Sequence, residues 1–135
     1  MAQPPAGFAP HFRKSPVTDP WEPLFSRRTE AGAIEIGVIL APAHCNARGM
    51  AHGGVIAALA DNAMGLTYAS SLEQPSGVVT VNLSLDYVAV AKVGAWLQVA
   101  PRLIRGGKSM GFVDALVTSD GEVIARASAV FRNLA

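Results

Sequence analysis

The residues best suited to chemistry lie between Met50 and Asp61. The run Met50-Ala51-His52-Gly53-Gly54-Val55 ends a loop and opens a helix-favouring segment. Two consecutive glycines weaken a helix start unless the backbone must stay bare. The first N–H groups of a helix have no intrahelical acceptor, and the helix dipole is positive there. Such an end can polarise a carbonyl and hold a developing oxyanion. The same two glycines equally suit a tight turn or close packing of the helix start on a strand. Asp61 follows nine residues after His52, inside an otherwise apolar helix. A carboxylate there needs a partner, or a reason to be buried. It is a candidate general base or nucleophile, the alternative being a carboxylate tied to structural partners at an interface. Gly54, Ala57, Ala58 and Gly65 are small and share its face, so a second helix or a ligand can approach closely.

The elements that must position these residues follow from periodicity. Ala33 to Ala41 is β-branched and alternates weakly, which predicts a strand. Pro42 to Met50 reads as loop, with Asn46 and Gly49 as turn residues. Gly53 to about Ser70 predicts a helix apolar on nearly every side, hence wrapped by sheet. Val78 to Ala89 alternates Val79, Val81, Leu83, Leu85 and Tyr87 with Thr80, Asn82, Ser84 and Asp86. Gly94 to Ile104, Lys108 to Thr118 and Glu122 to Arg132 predict three further strands. Gly106-Gly107 and Asp120-Gly121 supply the hairpin turns between them. Strand, long helix, then four strands is an α+β pattern, with an antiparallel sheet around one helix.

Residues 1–32 form an N-terminal extension ahead of the domain at 33–135. The extension starts with a Pro- and Ala-rich stretch over residues 1–16, expected to be mobile or loosely docked. Asp19 caps a short predicted helix with Pro20 at its first position, and Trp21, Leu24 and Phe25 give it an apolar face. His11 is expected to be a surface residue in the mobile stretch.

Composition narrows the function classes. Half of the 135 residues are hydrophobic and 16% are charged, apolar enough to predict that an identical chain covers part of the surface. A net charge of +1 leaves no electrostatic footprint for nucleic acid. The N-terminal stretch is not expected to act as a signal peptide, no stretch is expected to span a membrane as a helix, and the lone Cys45 fits a reducing compartment. The expectation is a soluble cytoplasmic protein. His44, Cys45 and His52 lack a fourth ligand at zinc-like spacing, so no metal is expected. Nothing around Cys45 marks it as an activated thiol.

The pattern of Asn46, His52-Gly53-Gly54 and Asp61 resembles the hotdog-fold thioesterases of the phenylacetic-acid-degradation (PaaI-like) type. Relatives of these include 4-hydroxybenzoyl-CoA thioesterases. The resemblance covers roughly residues 33–132. It includes the Val81-Asn82-Leu83-Ser84-Leu85-Asp86-Tyr87 strand, Ala91-Lys92-Val93-Gly94, and the hairpin Arg105-Gly106-Gly107-Lys108-Ser109.

It implies an acyl-CoA thioesterase without metal or other cofactor, working as a homo-oligomer, a dimer or a dimer of dimers with the long helices near the dimer axis. Gly54 chiefly, with Gly53, would polarise the thioester carbonyl. Asp61, reaching the site from the other subunit, would activate water or attack directly. Asn46 would position the water or the thioester oxygen, and His52 would orient the loop or contact the carbonyl. Thr80 matches a hydroxyl beside the nucleophilic water.

Arg105, Lys108 and Ser109 would hold the CoA moiety, with Arg102 and Lys92 as further cations; an ordinary charged turn is the alternative. Phe112, Tyr68, Met64 and Trp96 could shape an acyl pocket, and each fits a core position equally well. The other functions open to the same fold are a non-catalytic acyl-CoA binder and a hydratase or dehydratase, whose residue order fits the Asp61 pattern poorly.

Overall fold

Alternating side chains from Val78 onward build most of a sheet, and the apolar run after His52 builds the one long helix it holds. The computed structural model describes residues 3–134. Seven strands form a single antiparallel sheet: β1 (Ala9–Pro10), β2 (Phe25–Arg28), β3 (Ile34–Ile39), β4 (Val78–Tyr87), β5 (Trp96–Gly106), β6 (Met110–Ser119) and β7 (Glu122–Asn133). Their order across the sheet is β1-β2-β3-β5-β6-β7-β4. The helix α1 (Gly53–Ser70) packs on the inner face. This is the α+β hotdog arrangement that the sequence predicts. No helix of the described residues is long and apolar enough to cross a membrane.

The helix is not wrapped all round. Val55, Ile56, Leu59, Ala60, Ala63, Met64, Thr67 and Tyr68 are buried toward the sheet. Ala57, Ala58, Asp61 and Gly65 stay half-buried, and Gly54 is exposed. A single curved sheet covers one side of a helix, so the face that carries Asp61 is left open.

The N-terminal extension is part of the architecture. Its β2 pairs with β3 and its β1 with β2, two strands that the sequence reading missed. They are short and carry Arg27, Arg28 and Pro10, which disguise them. The predicted helix shrinks to one 3-10 turn at Asp19–Trp21, with Thr18 rather than Asp19 at the cap position. Phe8 and Phe25 pack against Trp96 on the outer side of the sheet, ring centroids 5.0 and 6.1 Å apart. Only a glycine fits beneath that indole: a Cβ on Gly37 would lie 2.2 Å from the Trp96 ring. Trp96 therefore serves the outer face and not an acyl pocket. Met64 and Tyr68 are fully buried core, and Phe112 is exposed.

The hairpin after β6 turns at Asp120-Gly121, both at positive φ (47° and 88°), the geometry that suits a two-residue turn. The β5–β6 turn sits over Gly107–Ser109, slightly later than Gly106-Gly107 suggests.

Strand β4 departs from its apparent alternation. The β4–β7 register shifts between Thr80 and Asn82. This bulge puts Val78 and Thr80 on the helix side ahead of it, and Leu83, Leu85 and Tyr87 on the same side after it. Val79 and Val81 are left exposed. Strict alternation would have grouped Thr80 with Ser84 on the opposite face. Bulges re-aim side chains in this way next to functional sites.

Tyr68 anchors the far end of the helix. Its hydroxyl donates to the Gly107 carbonyl at 2.7 Å, and its ring stacks near Phe131. A Cβ on Gly111 would meet that ring at 2.2 Å. Gly111→Ala is therefore expected to destabilise the fold by about 1–3 kcal/mol through overpacking. Urea unfolding should show a lower midpoint with an unchanged slope; a wild-type midpoint would contradict this packing.

Candidate functional site

The structure places the sequence-predicted residues in two clusters at different heights along α1. The first lies at the helix start. Asn46 opens a tight loop, its Oδ1 accepting from the N–H groups of Arg48 (2.9 Å) and Met50 (3.2 Å). With Oδ1 occupied, the Nδ2 amide remains as a donor. The loop is closed by hydrogen bonds from the Asn46 N–H to the Met50 carbonyl and from the His52 N–H to the His44 carbonyl.

His52 is the N-cap of α1, and its Nδ1 accepts from the Gly54 N–H at 2.9 Å. In a neutral ring this leaves the proton on Nε2. The Val55 and Ile56 N–H groups both donate to the His52 carbonyl. Among the first helical amides, that of Gly53 has no acceptor among the described residues. The unengaged amide at the helix start is thus that of Gly53, and the emphasis that the sequence reading puts on Gly54 moves to its neighbour. Tyr87 also reaches this cluster, donating its hydroxyl to the Gly53 carbonyl at 2.6 Å. The sequence reading treats Tyr87 only as a strand residue.

The second cluster lies further along the helix. Thr80 donates to Asp61 Oδ1 at 2.6 Å. Asp61 forms no salt bridge among the described residues. The pair borders an open cavity of about 420 Å³ whose apolar wall includes Leu66, Val78 and Phe131. None of the four side chains proposed from sequence as acyl-pocket formers lines it. Eight residues separate Gly53 from Asp61, a helical rise of about 12 Å. One chain therefore cannot apply both groups to one carbonyl carbon.

The β5–β6 hairpin stands at the Asp61 end, away from Gly53. Asn133 ties it down: its Nδ2 donates to the Lys108 carbonyl (3.2 Å), and its N–H donates to the Ser109 carbonyl (2.8 Å). The same Asn133 accepts from the Ser76 N–H, and neighbouring Pro75 and Gly77 line the Asp61 cavity. Arg105 and Lys108 are exposed and form no ion pair among the described residues. Arg102 pairs loosely with Asp114 at 4.0 Å. Lys92 bridges to Met50 through the backbone, beside the Asn46 loop.

His44 and Cys45 serve other ends. His44 is buried; its Nδ1 accepts from the Ala41 N–H and its Nε2 donates to the Trp21 carbonyl. Burial pushes the Cys45 thiol up, away from the thiolate form.

The N-terminal segment docks beside Asp61, and its histidine is not the surface residue that the sequence suggests. His11 is only 2% exposed, its Nε2 lies 3.4 Å from Asn62 Oδ1, and its Nδ1 has no partner. Arg13 extends from the same segment to the wall of the Asp61 cavity. The sequence signal for this was weak, because the contact partner lies 51 residues away.

A family model for the thioesterase superfamily matches residues 48–125. A Pseudomonas aeruginosa protein named as an esterase is 40% identical over 131 residues, covering 97% of this chain and 98% of its own. Human acyl-coenzyme A thioesterase 13 is 31% identical over 85 residues, 62% of this chain and 60% of its own. Among solved structures, a Bacillus halodurans protein crystallised with CoA is 30% identical with a TM-score of 0.73, covering 82% of this chain and 73% of its own. A phenylacetic-acid-degradation-related protein of Ralstonia eutropha is 26% identical with a TM-score of 0.77, covering 89% and 92%.

Burial holds the His11 imidazole below its ordinary 6.5, against the Asn62 hydrogen bond and Glu22, which favour the charged form; Lys14 adds to the lowering. Between 6.5 and the lower folded value, the unfolded chain binds more protons than the folded one. Stability conferred by neutral His11 is therefore lost as pH falls through that window. Thermal unfolding from about pH 7.5 to about pH 5 should show a shallower decline for His11→Gln than for the wild type; parallel declines would contradict the burial argument.

Proposed function

The chain belongs to the thioesterase superfamily, and within it we propose an acyl-CoA thioesterase that hydrolyses its substrate to free acid and CoA. The observation that carries this reading is the Thr80-bound Asp61 carboxylate, set beside a cavity with one apolar wall on the open face of a helix whose first amide is unengaged. A bare donor for an oxyanion and an oriented base are what thioester hydrolysis requires. A protein that only bound acyl-CoA would have no use for the Thr80–Asp61 pair.

The proposed site is shared by two chains. The helical rise of about 12 Å separates the Gly53 donor from Asp61 of the same chain. A second copy, placed antiparallel along the open helix face, brings its Asp61 to the first copy's Gly53. Strand β4 supports this arrangement. It is the free edge of the sheet, ten residues long, with Val79 and Val81 exposed. A long apolar edge of this kind invites pairing. A dimer, or a dimer of dimers, is the assembly we propose.

In this arrangement the Gly53 N–H receives the thioester carbonyl oxygen. The Nδ2 of Asn46 and the Nε2–H of His52 are the neighbouring donors, able to hold that oxygen or the attacking water. Thr80 occupies Oδ1 of Asp61, which leaves Oδ2 to take a proton from water as its oxygen attacks the carbonyl carbon. The tetrahedral oxyanion collapses, the carbon–sulfur bond breaks, and the proton passes from Asp61 to the departing CoA thiolate. Arg105, Lys108 and Ser109 hold the CoA moiety from the Asp61 end. A cytoplasmic setting fits the single free thiol.

Asp61→Asn keeps the size and the Thr80 contact and removes the base. Thiol release from short-chain, long-chain and aromatic acyl-CoAs should fall by at least about 100-fold in kcat, with the oligomer intact. An Asp61→Asn protein with wild-type turnover would overturn the assignment.

A further inference from the structure

The thioesterase reading needs one backbone donor, the Gly53 N–H, to point in a fixed direction. Its peptide unit ends on Gly53, and Gly53 and Gly54 both lack the Cβ that restricts φ and ψ. Something outside the helix must remove that freedom.

The structure contains such a device. The peptide unit joining Gly53 to Gly54 is planar and rigid. Its carbonyl accepts from Tyr87 at 2.6 Å, and its N–H donates to His52 Nδ1 at 2.9 Å. The two bonds act at opposite ends of one plate and fix its tilt. The preceding peptide unit, which carries the Gly53 N–H, is held through the His52 carbonyl by the Val55 and Ile56 amides at 3.0 and 3.1 Å. A Cβ on Gly53 would lie 3.4 Å from the Tyr87 ring, so the ring also closes that side of the backbone.

The hydroxyl is not needed to satisfy the helix. A carbonyl at a helix start accepts from the amide four residues on, so the tyrosine bond is additional. Nor does the ring belong to the core, since Tyr87 is 50% exposed. Burial pushes its phenol up, so it stays protonated and donating across the neutral range.

We propose that Tyr87 is a positioning residue for this reaction: its hydroxyl and the His52 ring together clamp the Gly53–Gly54 peptide and so aim the Gly53 N–H at the thioester oxygen. This rests on the thioesterase reading. It also gives β4 two tasks, because Thr80 on the same strand aims Asp61.

Tyr87→Phe tests the proposal, since it keeps the ring against Gly53 and deletes only the hydroxyl. Removing an oxyanion donor outright costs about 100- to 1000-fold, so loosening one should lower kcat about tenfold, with KM unchanged. The melting temperature and oligomer size should match the wild type. Amide hydrogen exchange at Gly54 should quicken, a readout that needs no substrate. Wild-type kcat in Tyr87→Phe, unchanged Gly54 exchange, or a fall in melting temperature without a kcat effect would each overturn the proposal. A wild-type protein that releases no thiol from any acyl-CoA would instead overturn the thioesterase reading, while the exchange measurement still decides the clamp.

Discussion

A rigid helix separates the Gly53 amide from the Asp61 carboxylate by about 12 Å along its axis, and the proposed site is organised around that spacing. The Gly53 amide lies at one end and the Asp61 carboxylate part-way along. Neither can bend toward the other, because a helix whose one side is packed on a seven-stranded sheet does not yield by several ångströms. In the proposed reaction that separation makes one chain supply two half-sites. Gly54, Ala57 and Ala58 on that face are small and leave room for another backbone in the proposed dimer, whereas the space a Gly65 Cβ would take is closed by the Phe131 ring at 3.3 Å.

Strand β4 reconciles two demands. Its inner face must pack apolar side chains on the helix and also deliver a hydroxyl to Asp61. The bulge after Thr80 does both, turning Leu83, Leu85 and Tyr87 inward without turning Thr80 out. The same strand remains the free edge of the sheet. In the proposed dimer, the orientation of the half-sites and the surface offered to a second copy thus depend on one ten-residue segment.

Much of this was legible in the sequence, and the exceptions share a physical cause. The helix from Gly53 to Ser70 and the strands after it follow from local periodicity and from turn pairs such as Asp120-Gly121, whose conformational needs are local too. The bulge was not legible, because apolar and polar residues alternate straight through it. The burial of His11 depends on Asn62, far away in the chain. The availability of Gly53 rather than Gly54 turns on which amide the His52 ring captures, a choice that a two-glycine motif does not encode. The Asn46, His52 and Asp61 pattern suggested a family through resemblance, and the thioesterase superfamily match agrees with it. The pairing of Thr80 with Asp61 is a contact that only the folded register displays.

The most direct test of a site shared between two half-sites is subunit complementation. Chains carrying Asn46→Ala and chains carrying Asp61→Asn, each inactive alone, would be unfolded, mixed in equal amounts and refolded, and thiol release then measured. In a two-fold dimer, half of the randomly paired assemblies carry both variants, and each of these has one intact site of two. The account predicts recovery to roughly a quarter of wild-type activity. A mixture in which mixed oligomers form but no activity returns would contradict it.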